Sequence, residues 1–132
     1  MVHVVKEARA TVIHPTAIVA PGAQLGDGVT IGPWCSVGPD VVIEDGVELI
    51  SHVVVDGHTR LGAASRYFPF CTVGMAPQDL KYKGGPTRCE VGARTVVREH
   101  VTIHRGTAMG AGVTRVGTDV LIMANAHVAH DC

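Results

Sequence analysis

The sequence predicts an all-β chain wound as a parallel β-helix. Three observations carry that expectation. An apolar residue recurs at every sixth position, a small or β-branched residue follows four places later, and aromatic residues make up only 4% of a chain that is 46% hydrophobic. A core with so few rings must be assembled from many small, similar layers. Self-similarity at a short fixed period is the mark of a stacked architecture.

Written in sixes from Val12, the chain reads VIHPTA, IVAPGA, QLGDGV, TIGPWC, SVGPDV, VIEDGV, ELISHV, VVDGHT, RLGAAS, RYFPFC and TVGMAP. The second residues are Ile13, Val19, Leu25, Ile31, Val37, Ile43, Leu49, Val55, Leu61, Tyr67 and Val73, all apolar. Four places on stand Ala17, Ala23, Val29, Cys35, Val41, Val47, Val53, Thr59, Ser65, Cys71 and Pro77. A helix, with its 3.6-residue period, would scatter residues six apart over different faces. Short strands joined by tight corners can turn both slots of every block inward, and stacked coils then share one core.

The frame breaks twice. Val73 and Val91 are three blocks apart, but the slots between them hold Asp79 and Gly85, so MAPQDLKYKGGPTR leaves the helix as a loop at about 75–90. Its KGGP segment is turn chemistry. Blocks resume at Val91, Val97 and Ile103; the segment 109–115, MGAGVTR, is then inserted, and the frame restarts at Val116, Ile122 and Val128. Seventeen apolar slots make nearly six coils, a prism roughly 27 Å long at ~4.8 Å per coil. Residues 1–132 read as one β-helix domain, and loops that leave a solenoid commonly form binding walls.

Composition bounds the function. A net charge of −1 gives no electrostatic support for nucleic-acid binding. No apolar run reaches 18 residues, so no membrane insertion is expected. The opening MVHVVKEARATV places charges where a secretory signal would have its apolar core, and the chain is read as cytoplasmic with reduced cysteines. Cys35, Cys71, Cys89 and Cys132 all fall in the small inward slot, with no zinc-module spacing.

The closing stretch NAHVAHDC packs His127, His130, Asp131 and Cys132 into eight residues. His3, His14, His52, His58 and His100 have no clustered partners and read as surface or structural. With the seven-residue insertion taken out, Ala129 lies one coil above His104, which brings His130 within ~6 Å of it, Cα to Cα. Both histidines occupy non-core slots. Neutral imidazole is a base suited to pH 7.

Three segments narrow the reading: PQDLKYKGGPTR, VTIHRGT and NAHVAHDC, together with HPTAIV and SHVVVDGHTRLG. The chain from Ile13 to Cys132 resembles the acyl-carrier-protein–UDP-N-acetylglucosamine O-acyltransferases of lipid A biosynthesis, within the hexapeptide-repeat acyltransferase superfamily. The resemblance implies a left-handed β-helix, where the general rule for parallel crossovers would give a right-handed one. It implies transfer of an (R)-3-hydroxyacyl group from acyl carrier protein to the glucosamine 3-hydroxyl of UDP-N-acetylglucosamine. No cofactor is implied beyond the phosphopantetheine on the carrier, and no metal. A homotrimer is implied, with each site between neighbouring β-helices.

Residue roles follow from the same resemblance. His130 is the general base and Asp131 its acidic partner. Neighbours in a strand point to opposite sides, so contact between these two requires a corner. Gln78 and Asp79 hydrogen-bond the sugar hydroxyls, Lys81 meets the nucleotide or phosphate region, and His104 and His127 line the cleft. In this family the β-helix continues past the second histidine motif and a helical domain follows. The chain is therefore read as an N-terminal, truncated piece, without the oxyanion donor and acyl-length gauge, and is expected to lack useful activity alone.

Other readings stand beside this one. Another hexapeptide-repeat sugar acyltransferase would share the repeats. A zinc-dependent β-helix hydro-lyase would use three histidines, for which His104, His127 and His130 are the candidates, but it leaves QDLK unexplained. A purely structural solenoid would repeat like residues along one outer face, and the outward positions are too mixed for that.

Overall fold

Each block of six folds as a short strand and a tight corner. The structure, a computed structural model, describes residues 9–132; the first eight residues of the N-terminal segment, His3 among them, lie outside the described residues. Among those described there are seventeen strands and no helix.

The first coil is β1 (Val12–Ile13), β2 (Ile18–Val19) and β3 (Gln24–Leu25), and the second is β4 (Thr30–Ile31), β5 (Ser36–Val37) and β6 (Val42–Ile43). The third is β7 (Glu48–Leu49), β8 (Val54–Val55) and β9 (His58–Leu61), and the fourth is β10 (Arg66–Tyr67), β11 (Thr72–Met75) and β12 (Arg88–Val91). The fifth is β13 (Val96–Val97), β14 (Thr102–His104) and β15 (Val113–Val116), before β16 (Leu121–Ile122) and β17 (His127–Val128) open a sixth.

Every third strand pairs in parallel, which makes three faces. The first carries β1-β4-β7-β10-β13-β16, the second β2-β5-β8-β11-β14-β17 and the third β3-β6-β9-β12-β15. Below the loops partners are eighteen apart, as in Val12↔Thr30 and Val37↔Val55. Across the first loop the pairing becomes Tyr67↔Val97, and across the second Val97↔Ile122. The fold is a left-handed parallel β-helix. The right-handed preference of parallel crossovers arises from strand twist, and two-residue strands accumulate little of it.

The core follows the two inward slots. From Ile31 to Ile103 every second-position residue is buried, and so are Val29, Cys35, Val41, Val47, Val53, Cys71, Cys89 and Val101 in the small slot. Where that slot holds a hydroxyl it is satisfied locally: Ser65 Oγ donates to the Gly62 carbonyl at 2.6 Å, and Thr59 Oγ1 to the Asp56 carbonyl at 2.6 Å. Burial pushes the thiols of Cys71 and Cys89 up to about 12, so both are inert at neutral pH. Cys132 stands in the same slot but is exposed, because no coil stacks above it among the described residues.

The loops occupy 76–87 and 105–112, between β11 and β12 and between β14 and β15. The first starts later and ends earlier than the 75–90 read from the slots, since Met75 and Arg88 remain in strands. The second starts and ends earlier than the 109–115 read from the slots: Val113–Val116 is a strand in full register with Arg88–Val91. Slot counting fixes how many residues are inserted, whereas the ladder decides which leave it.

Corners turn on residues in the left-handed region, among them Trp34 (φ 60°), His52 (51°), Phe70 (69°) and Asp131 (62°). Elsewhere coils approach so closely that only glycine fits: a Cβ on Gly32 would lie 1.8 Å from the Ile50 carbonyl oxygen. We expect Gly32→Ala to lower stability by about 1–3 kcal/mol through this clash. Gly117→Ala, whose Cβ would meet only Val120 at 3.6 Å, should leave the urea midpoint nearly unchanged. Equal midpoints would contradict the coil spacing.

Candidate active site

The corner after β17 decides the geometry of NAHVAHDC. The chain leaves the ladder at Val128, and Asp131 turns it with φ 62°. Off the strand, successive side chains no longer point to opposite sides. His130 Nδ1 lies 2.9 Å from Asp131 Oδ2, with the His130 side chain 36% exposed and that of Asp131 14% exposed. The contact that a regular strand would forbid is made by the corner.

The Asp131 carboxylate is held on every side. Oδ1 accepts the Thr107 amide at 2.9 Å and the Gly112 amide at 3.0 Å; Oδ2 accepts the Thr107 hydroxyl at 2.7 Å besides facing His130. The Asp131 amide in turn donates to Thr114 Oγ1 at 2.9 Å. Burial alone would raise the acid, but the hydrogen bonds from His130, Thr107 and Gly112 outweigh it and bring Asp131 down to about 2. An ionised carboxylate can only accept. The His130 nitrogen that faces it therefore carries the proton, and in the neutral ring it is Nε2 that has the lone pair.

A groove of about 790 Å³ opens beside this pair, between the two loops. Asp79, Lys81 and Tyr82 line it from the first loop and Thr107 from the second, together with His130 and Asp131. Asp79 Oδ1 accepts the Lys81 amide at 2.9 Å and its carbonyl accepts the Tyr82 amide at 2.9 Å, so QDLKY forms a tight turn. The bases of the loops are tied together: Arg105 Nε donates to the Gly74 carbonyl at 2.8 Å, and the Gly106 amide to that of Arg88 at 3.1 Å.

Of the residues singled out in the sequence, Asp79, Lys81, His130 and Asp131 share the groove. Gln78 is exposed on the same loop outside its lining. His104 and His127 form a neighbouring pair on the second face, rings 4.7 Å apart and edge to face. His127 Nδ1 lies 2.7 Å from Thr102 Oγ1, its partner across the ladder. His104 takes a non-core slot yet is only 6% exposed, with the His127 ring packed edge to face against it and Met75 as its partner on the other side of the ladder. Burial, then the nearby His127 and His130, hold its pKa below the ordinary histidine value. Within one chain, and among the described residues, no group of three His, Cys, Asp or Glu is arranged to hold a metal ion.

The sequence reading missed Thr107, Gly110, Gly112 and Thr114. Thr107 and Thr114 stand in the small slots on either side of the insertion, which marked them as core. The glycine pair in MGAGV was the signal of a close approach, but nothing in it named Asp131 as the group approached.

Because the folded acid lies below the ordinary value of ~3.9, the stabilisation from this network is complete above about pH 4. It is lost as pH falls through about 2. Carbon NMR of the Asp131 carboxyl should show it ionised at pH 3; a midpoint in the ordinary aspartate range would mean that the network does not form.

The family described as "Bacterial transferase hexapeptide (six repeats)" matches residues 22–57. The structure is similar to the UDP-N-acetylglucosamine O-acyltransferase of Moraxella catarrhalis RH4, with 44% identity and a TM-score of 0.89 over 91% of this chain and 47% of that one. The UDP-N-acetylglucosamine acyltransferase of Francisella novicida gives 40% and 0.88, over 91% and 44% of the two chains. That of Bacteroides fragilis 9343 gives 40% and 0.87, over 90% and 46%. The chain thus spans about half the length of these relatives. With its hexapeptide coils, its two loops and this degree of identity, the chain belongs to the UDP-N-acetylglucosamine acyltransferase family of hexapeptide-repeat proteins.

Proposed function

We propose that this chain carries the acceptor-activating half of an acyltransferase. The enzyme transfers an (R)-3-hydroxyacyl group from acyl carrier protein to the 3-hydroxyl of UDP-N-acetylglucosamine, the first step toward lipid A, in the cytoplasm. The observation that carries the proposal is the His130–Asp131 pair in a groove that Asp79, Lys81 and Tyr82 also line. Nε2 of His130 takes the proton of the sugar hydroxyl as its oxygen attacks the thioester carbonyl. The carbon–sulfur bond then breaks, and the imidazolium returns the proton to the leaving thiolate. Asp131 keeps Nδ1 protonated and steadies the positive charge on the ring.

Binding follows from the lining. Lys81 meets the diphosphate as a mobile cation and Asp79 takes sugar hydroxyls, joined by Gln78 from its place outside the lining on the same loop. His104, kept neutral by its burial, and His127 serve the wall beside the groove. The donor's phosphopantetheine arm belongs to the carrier protein, and no cofactor resident in this chain is part of the proposal.

The assembly proposed is a homotrimer packed through the second face. Its outward positions are Ile18, Ser36, Val54, Thr72, Thr102 and His127, with no carboxylate, lysine or arginine. The first face carries Glu48 and Arg66, paired at 2.9 Å, and the third carries Arg60, Glu90 and Arg115. Depletion of charge is the mark of an interface core. A three-sided prism uses one patch pair three times about a threefold axis.

In the protein that carries this chain, His130→Ala should lower turnover ~100- to 10,000-fold, while calorimetry with UDP-N-acetylglucosamine shows little change in affinity. Lys81→Ala should instead raise the Michaelis constant for the nucleotide sugar. Near-normal turnover of His130→Ala, or reversible loss of activity with a chelator, would overturn the base assignment. Val54→Arg, which sets a charge on the second face, should convert a sedimenting trimer to monomer; a trimer that survives it places the interface elsewhere.

A further inference from the structure

We propose that the loop 105–112 is a positioning device for the base, with Thr107 as the positioning residue that fixes the Asp131 carboxylate against His130. The inference deepens the proposed function and rests on it for its catalytic consequence.

The loop contributes little to the core. Met109 is 94% exposed, and Ala108, Gly110 and Ala111 are exposed with it. Its polar groups converge instead on one side chain: two of its amides and one hydroxyl meet the two oxygens of Asp131. With His130 the carboxylate has four partners, which is about its full accepting capacity. Oδ1 is saturated by the amides of Thr107 and Gly112, so the group cannot rotate to exchange its oxygens without breaking both bonds. Oδ2 is left for Thr107 and His130 alone.

Thr107 is oriented for this task. Its hydroxyl accepts the Gly110 amide at 3.1 Å and has one proton, which goes to Asp131. The residue is 6% exposed, so water does not compete for that proton. Gly110 closes the cradle from another side. A Cβ there would lie 2.4 Å from Oδ2 and 2.5 Å from Cγ of Asp131, so any side chain would displace the carboxylate. The molecule supplies its own comparison. Asp119 also sits at a left-handed corner, φ 59°, but meets only the guanidinium of Arg94, with both side chains about 60% exposed. A corner aspartate needs no cradle to be a corner; Asp131 has one where it faces the imidazole.

The titratable groups around the pair are Asp79, Lys81, Tyr82 and Lys83 along the groove, and His104 with His127 on the second face. Among the described residues, Asp131 has an ion-pair partner only in His130. Its carboxylate is therefore governed by the loop and the imidazole rather than by a cation.

The test uses the chain labelled with nitrogen-15 at histidine and carbon-13 at the aspartate carboxyl, and Thr107→Val, Thr107→Ser and Gly110→Ala. Thr107→Val removes one donor, and the Asp131 midpoint should rise by about one pH unit from its low value. Thr107→Ser should restore it. Gly110→Ala should reduce the fraction of His130 with its proton on Nδ1. In the protein that carries this chain, the acyltransferase assay of Thr107→Val should show kcat about tenfold lower with KM for the sugar unchanged, again rescued by serine. If neither the Asp131 midpoint nor the His130 tautomer moves in folded Thr107→Val and Gly110→Ala, the positioning role is wrong. If both move as expected while the parent protein transfers no acyl group, the cradle stands and the proposed function fails.

Discussion

Everything in this molecule depends on one constraint: each coil must return to the register of the coil beneath it. Parallel two-residue strands have weak individual ladders, so order comes from stacking the same inward slots coil after coil. Leu49, Tyr67 and Val97 lie in one such column and Val55, Val73 and Ile103 in another, all buried. The column tolerates no change of phase. It tolerates any length of chain that leaves at a corner and comes back in phase.

The site is built from that tolerance. Both loops leave between the second and third faces, in successive coils, so they project side by side. The last corner described, Ala129–Cys132, lies between the same two faces, above the second loop. The register thus delivers His130 and Asp131 to a groove whose walls are irregular chain. Rigid coils set the spacing and the excursions supply the chemistry, the division of labour usual between scaffolds and loops.

Backbone strain enters at the corners. Left-handed backbone at non-glycine residues carries a cost, and it recurs at Trp34, His52, Phe70, His100 and Asn125 in successive coils along one edge. Stacking of His52 on Phe70 at 4.8 Å and of Phe70 on His100 at 5.2 Å offsets part of it. At Asp131 the same conformation has a chemical result, since it turns a strand residue into the partner of its neighbour.

The sequence by itself determined the repeat, its seventeen inward apolar slots, the two interruptions and the meeting of the coil bearing His104 with the coil bearing His130. These are legible because a six-residue period is a local, one-dimensional property and every coil repeats it. Resemblance in QDLK, TIHRG and AHDC named the site residues, but the repeat alone could not say how they touch. Only the tertiary structure decided that Asp131 reaches His130, that His104 packs edge to face with His127 and that Thr107 and Gly110 enclose the carboxylate. Those contacts depend on corner dihedrals and on the path of an inserted loop. Neither has a period, and both are fixed only when distant segments close on one another.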